Sequence, residues 1–194
     1  LVREALPIVR HAGVDLLWPF GSNAWSTSQG QYSLVPMLWG TLLTTLVATA
    51  VAAPFGVAGA LFVSHIAPDW LREMVKPAVE LLAGIPSIVY GFIGFTIINP
   101  YVTDLFSVSP GALVAIGVVI GFMALPTVVS VAEDALSVVP EPMQDGSLAL
   151  GATDWQTMKS VSVPTAFSGI SAAVLLGVGR AIGETMAATV MIAH

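Results

Sequence analysis

Leu34–Val63 reads LVPMLWGTLLTTLVATAVAAPFGVAGALFV, thirty residues without an Asp, Glu, Lys or Arg. As a helix rising ~1.5 Å per residue it reaches ~45 Å, more than the ~30 Å hydrocarbon core of a bilayer. It is therefore expected to tilt or project, with Pro54 a candidate kink. Three further apolar runs follow: Leu81–Thr103, Leu105–Ala132 with a Pro110-Gly111 break near its start, and Ser160–His194, interrupted only by Arg180 and Glu184. The implied fold class is all-α, a polytopic transmembrane helical bundle with four visible spans. Composition agrees, because 56% of the 194 residues are hydrophobic and 9% charged, whereas soluble domains carry about a quarter charged residues. The chain has no cysteine, which excludes disulfides and Cys-ligated metal sites. Twelve acids against six bases exclude the basic footprint of a nucleic-acid partner.

Basic residues in the connections set the orientation. Arg72 and Lys76 lie between the first two runs and Lys159 between the last two, while Asn99–Pro110 contains no Lys or Arg. The first two of these connections are expected to face the cytoplasm. Residues 1–33 then form an external segment ahead of a transmembrane domain at 34–194, with Arg3 and Arg10 counting weakly against that placement. Ala48, Ala52, Gly56 and Ala60 recur every fourth residue, as do Gly169, Ala173, Gly177 and Ala181. Such stripes let helix backbones approach closely in lipid, so a packed bundle is expected.

Residues 133–163 form a cytoplasmic loop too long for a tight turn and too apolar for a linker. Pro140 and Pro142 are expected to break any helix continuing from the third run, and Asp145–Leu150 and Trp155–Val161 to form short amphipathic helices joined at Gly151, with Asp154 as an N-cap. Either this hairpin lies on the membrane surface or it docks a cytoplasmic protein.

Arg180 lies sixteen residues beyond Pro164, or ~24 Å along a helix. A central Arg costs ~2.5–3.5 kcal/mol even on lenient insertion scales. The i, i+4 spacing predicts Glu184 on the same face, which leaves two readings: a neutralised structural pair, or a transport site. A guanidinium presents donors matched to an oxyanion, so Arg180 is expected to meet an anion transiently while Glu184 holds the Arg and limits trapping. Gly84 and Pro86 either interrupt the second run, leaving Ser87 and Tyr90 to line a path, or mark a Pro-kinked helix. Glu80, four residues after Lys76, is expected to pair with it. No G-x-x-x-x-G-K-[ST] motif occurs, so ATP hydrolysis would belong to another subunit. His11, His65 and His194 lack metal-ligand spacing, and no cofactor is expected.

Asp145-Gly146-Ser147, Gly151 four residues after Ser147, and Val161-x-Val163-Pro164 follow the spacing of the EAA loop of ABC importer permeases, E-A-A, three residues, G, nine residues, I-x-L-P. The departures are Asp for Glu, Gly-Ser for Ala-Ala, and Val for both Ile and Leu. Glu80–Gly91 (ELLAGIPSIVYG) and Gly179–Ala187 (GRAIGETMA) resemble the signature stretches of phosphate-importer permeases, of the PstC type more than the sister PstA type. The resemblance implies a type I importer permease of six spans, about four of them visible. The chain is then expected to be a segment, with one helix before Leu1 and a sixth after His194. It further implies ATPase subunits coupled through Asp145, Gly146, Ser147, Gly151 and Pro164, a PstA-type sister subunit, and an external phosphate-binding protein. Its setting would be the lipid of a prokaryotic inner membrane. Arg180 and Glu184 match family positions implicated in phosphate passage. Sulfate or molybdate is an alternative cargo, and a proton-coupled secondary transporter using Glu184 or a non-transporting scaffold is an alternative class.

Overall fold

The computed structural model describes residues 35–107 and 113–192. The external segment 1–33, the Pro110-Gly111 break, His11 and His194 lie outside the described residues. Every element among them is helical: α1 (Val35–Leu61) with a π-helical turn Phe62–Ile66, α2 (Asp69–Ala83), α3 (Ser87–Ile93) with a π-helical turn Gly94–Ile98, α4 (Asn99–Phe106) and α5 (Leu113–Ser137). Then come α6 (Glu141–Ala149), α7 (Asp154–Thr157), a π-helical turn Met158–Ser162, α8 (Val163–Thr165), α9 (Phe167–Gly183) and α10 (Met186–Ile192).

Three stretches among the described residues are long and apolar enough to cross a membrane, Val35–Ile66, Ser87–Leu105 and Leu113–Ser137. A fourth counts if Asp154–Thr165 and Phe167–Gly183, bent by 71° at Ala166, are one span. The run from Ser160 is therefore not the single helix its composition predicts. The run from Leu81 is also divided. Leu81–Ala83 complete α2, and the Gly84 amide bonds back to the Glu80 and Leu81 carbonyls at 3.2 and 3.1 Å. Pro86 offers no amide and restricts Ile85, so a new helix starts at Ser87. Of the two readings of this stretch, the structure takes the interruption.

The chain separates into two compact units, Leu1–Leu43 and Thr44–His194. The described part of the first is the start of α1, where the Thr41 hydroxyl donates to the Met37 carbonyl at 3.0 Å and Leu38, Trp39 and Leu42 are exposed. In the second unit α5 is the centre, buried along most of its length. Both small-residue stripes pack on it. The buried members of α1 here are Thr45, Ala48, Ala52, Gly56 and Ala60, and those of α9 are Ile170, Ala173, Gly177 and Ala181. A Cβ added at Gly56 would lie 2.7 Å from Val128 Cβ, and one added at Gly177 would lie 2.6 Å from Val128 Cγ2. Val128 thus wedges between two helices that only glycine lets approach.

At the end of the bundle where α1 runs into α2, polar side chains tie the helices together. Arg72 donates from Nε to the Val63 carbonyl at 3.0 Å and from Nη2 to the Ser64 carbonyl at 2.5 Å. A cation there complements the negative end of α1 and its π turn. Lys76 pairs with Glu133 at 2.8 Å and Asp134 at 3.0 Å, joining α2 to the end of α5. The expected Lys76–Glu80 pair is not formed, because Lys76 turns inward to the nearly buried Glu133 carboxylate. Its hydrogen bonds to Glu133 and Asp134 push the Lys76 pKa up to about 12.

Candidate functional site

At the break between α2 and α3, two side chains reach carbonyls of the α2 C-terminus. The Tyr90 hydroxyl donates to the Leu82 carbonyl at 2.9 Å from the first turn of α3. Arg180, on α9, donates from Nη2 to the Ala83 carbonyl at 3.3 Å and from Nη1 to Thr127 Oγ1 at 2.9 Å. Thr127 lies near the middle of the 25-residue α5, so this cluster sits at mid-bundle. Arg180 and Thr127 are half-buried. Of five guanidinium N–H donors, two are engaged, which leaves capacity for an anion.

Of the predicted pathway residues, Arg180 and Tyr90 converge on the same broken helix end. Ser87 opens α3 on the far side of the break, half-buried. Glu184 does not join Arg180. Helix α9 ends at Gly183 and Glu184 has extended backbone (φ −82°, ψ 113°), so the i, i+4 relation that would align the two is lost. The ion pairs among the described residues are Lys76 with Glu133 and Asp134. Glu184 Oε1 instead accepts from the Ala187 amide at 3.0 Å, capping the start of α10 where the helix dipole favours a carboxylate. That cap supports a close contact: a Cβ at Gly91 of α3 would lie 2.9 Å from Ala187 Cα.

Thr127 and the Ala83 carbonyl are partners that sequence reasoning missed. A signal for Thr127 existed, since Thr127 and Ser130 are the only hydroxyl-bearing residues in Leu113–Ala132. No sequence pattern assigns a backbone carbonyl to an Arg ninety-seven residues away.

The second candidate surface is the hairpin after α5. Helix α6 begins at Glu141, four residues before the predicted start, with Pro142 in its first turn, where no amide partner is required. Asp145, Gly146 and Ser147 all lie on it. Gly151 turns the chain at φ +89°, a left-handed conformation that only glycine takes at little cost. The second arm is capped by Thr153 and not by Asp154. Thr153 Oγ1 accepts from the Gln156 amide at 3.3 Å and Gln156 Oε1 accepts from the Thr153 amide at 2.9 Å, a capping box. The Thr157 hydroxyl donates to Ser147 Oγ at 3.0 Å and ties the arms together. Pro164 follows in α8, just before the bend into α9. Val138, Leu150 and Trp155 are exposed by 78%, 91% and 65%, which makes the hairpin an apolar surface at the end of the bundle.

The family model described as "Binding-protein-dependent transport system inner membrane component" matches residues 52–194. The chain is 42% identical over 168 residues to the probable ABC transporter permease protein YqgH of Bacillus subtilis, covering 86% of this chain and 54% of the relative. It is 35% identical over 190 residues to the phosphate transport system permease protein PstC of Haemophilus influenzae, covering 88% and 60%. With PstC 1 of Mycobacterium tuberculosis it shares 34% over 176 residues, covering 80% and 52%. The chain thus spans little more than half the length of these relatives.

Proposed function

The chain belongs to the binding-protein-dependent transport system inner membrane component family, and from that membership we propose that it is part of the membrane permease of an ATP-driven importer for inorganic phosphate. It is a multi-pass membrane protein, and we place it in the cytoplasmic membrane of a prokaryote. The observation that carries the reading of the site is the Arg180 guanidinium, held at mid-bundle on a broken helix end with donors to spare. An oxyanion passing there would meet a fork of N–H groups that matches its oxygens. The names of the PstC relatives favour phosphate over sulfate or molybdate as the cargo. Family membership favours ATP drive over proton coupling at Glu184.

In this reading an external phosphate-binding protein delivers the anion and a sister permease of the PstA type completes the pathway. ATPase subunits dock on the α6–α7 hairpin through the surface carrying Asp145, Gly146, Ser147 and Gly151. Closure of the ATPase pair would pull the hairpin, and Pro164 with the bend at Ala166 would pass the movement to α9 and Arg180. Nucleotide then shifts the population between inward- and outward-facing states, because it binds one of them better. Ser87 and Tyr90 line the path beside the break. Glu184 contributes by holding the α9–α10 junction.

The test is phosphate uptake into vesicles by the full-length permease with its partner subunits, with sulfate as competitor. Uptake should require ATP, resist sulfate, and fall strongly in Arg180→Ala. Uptake that persists without any ATPase subunit would sink the importer reading, and a wild-type rate in Arg180→Ala would remove Arg180 from the pathway.

A further inference from the structure

We propose that Thr127 is the positioning residue for anion passage, holding one arm of the Arg180 guanidinium so that the anion exchanges with the Ala83 carbonyl on the other. This rests on the reading of Arg180 as the anion contact.

Two observations carry it. First, Thr127 differs from four helical threonines of this protein and makes its bond across a helix interface. Thr41, Thr96, Thr103 and Thr189 each donate to the carbonyl four residues back, at 3.0, 2.8, 2.7 and 2.6 Å. That is the ordinary bond of a threonine within a helix. Thr127 instead accepts from Arg180 Nη1, across the interface between α5 and α9.

Second, the two arms are unequal. The Nη1 bond to Thr127, at 2.9 Å, has ordinary length, while the Nη2 bond to Ala83, at 3.3 Å, lies beyond the usual ~2.7–3.2 Å range for N–H···O. A charged oxygen binds a guanidinium more closely and roughly twice as strongly as a neutral acceptor does. An oxyanion arriving on the free donors of the fork therefore competes with Ala83, the more distant of the two acceptors, and leaves Thr127 in place. The helix-end carbonyl carries partial negative charge, so it takes the arm back once the anion moves on. Limitation of trapping, expected of Glu184 from spacing, falls to the α2 terminus. Displacement also leaves Tyr90 as the remaining side chain of this cluster on the helix end, which links passage of the anion to the α2–α3 break.

The experiment measures ATP-dependent uptake of inorganic phosphate, per assembled complex, for full-length Thr127→Val, Thr127→Ser, Arg180→Ala and the Thr127→Val/Arg180→Ala double variant. Thr127→Val should lower the rate about tenfold, the loss expected for one hydrogen bond to a charged group. Thr127→Ser, which keeps the hydroxyl, should restore it to within about twofold. The double variant should transport no more slowly than Arg180→Ala, because Thr127 acts through Arg180. Equal losses in Val and Ser, or a double variant slower by the product of the singles, would mean a packing role and overturn the proposal. A normal rate in Thr127→Val with a damaged Arg180→Ala overturns it while leaving Arg180 in the pathway. A normal rate in Arg180→Ala removes both. If Thr127→Val does not assemble, the smaller Thr127→Ala takes its place in the same comparison.

Discussion

Val128 is 1% exposed and faces a glycine on each side, which makes the bundle's packing testable with three substitutions. Gly177→Ala puts a methyl 2.6 Å from Val128 Cγ2. The valine cannot turn aside, because a β-branched side chain in a helix has one strongly preferred rotamer. Overpacking of this kind costs ~1–3 kcal/mol, and the gain from replacing a helical glycine returns ~0.5–1 kcal/mol, so the net loss should be about 1–2 kcal/mol. Gly56→Ala should cost more, about 2 kcal/mol, since its methyl meets both Cβ and Cγ1 of Val128 at 2.7 Å. Val128→Ala alone should cost about 1–2 kcal/mol for lost buried methyls. The doubles decide the matter. With Gly177→Ala, Val128→Ala removes the offending Cγ2 and the new methyl fills the space, so the pair should be no less stable than Val128→Ala alone. With Gly56→Ala relief should be partial, because Cβ remains. Reversible unfolding in mixed micelles, followed by helical circular dichroism, measures all five variants. Additivity within ~0.5 kcal/mol in the Gly177 pair would refute the claim that α9 and α5 meet through this contact.

Other consequences concern the polar ties. Lys76 has its pKa raised from 10.5 to about 12 by Glu133 and Asp134, so its bridge stabilises fully below about pH 10.5 and is lost as pH climbs to about 12. The stability gap between wild type and Lys76→Met, about 1 kcal/mol for so exposed a lysine, should close over that alkaline window, and a gap independent of pH would exclude the bridge as its source. Thr153→Ala removes the capping box and should cost about 1 kcal/mol, seen as faster amide exchange across Asp154–Thr157 with the spans unchanged. Glu184→Gln keeps an oxygen for the Ala187 amide and Glu184→Ala does not. Amide exchange at Ala187 should therefore rise in the alanine variant and stay near wild type in the glutamine one.

The resemblance to importer permeases was legible because it depends on local spacing: Gly151 and Pro164 hold their places in the loop whatever surrounds them. Arg180 was legible for a different reason, as a charge is conspicuous in an apolar run. The Glu184 partnership misled because i, i+4 geometry presumes a continuous helix, and the helix stops at Gly183. The Asp154 cap misled because Thr153, one residue earlier, offers a hydroxyl at the right spacing from Gln156.

By itself, the sequence determined the membrane class, the apolar spans and the small-residue stripes, all consequences of solvent and of helical period, which act on neighbours along the chain. Tertiary structure alone decided that Lys76 seeks Glu133 over Glu80, and that Arg180 rests between Thr127 and the Ala83 carbonyl. Each of these is a choice between acceptors far apart in sequence. Only packing on α5 brings such groups within hydrogen-bonding distance, and a buried or half-buried charge takes whichever acceptor the packing supplies.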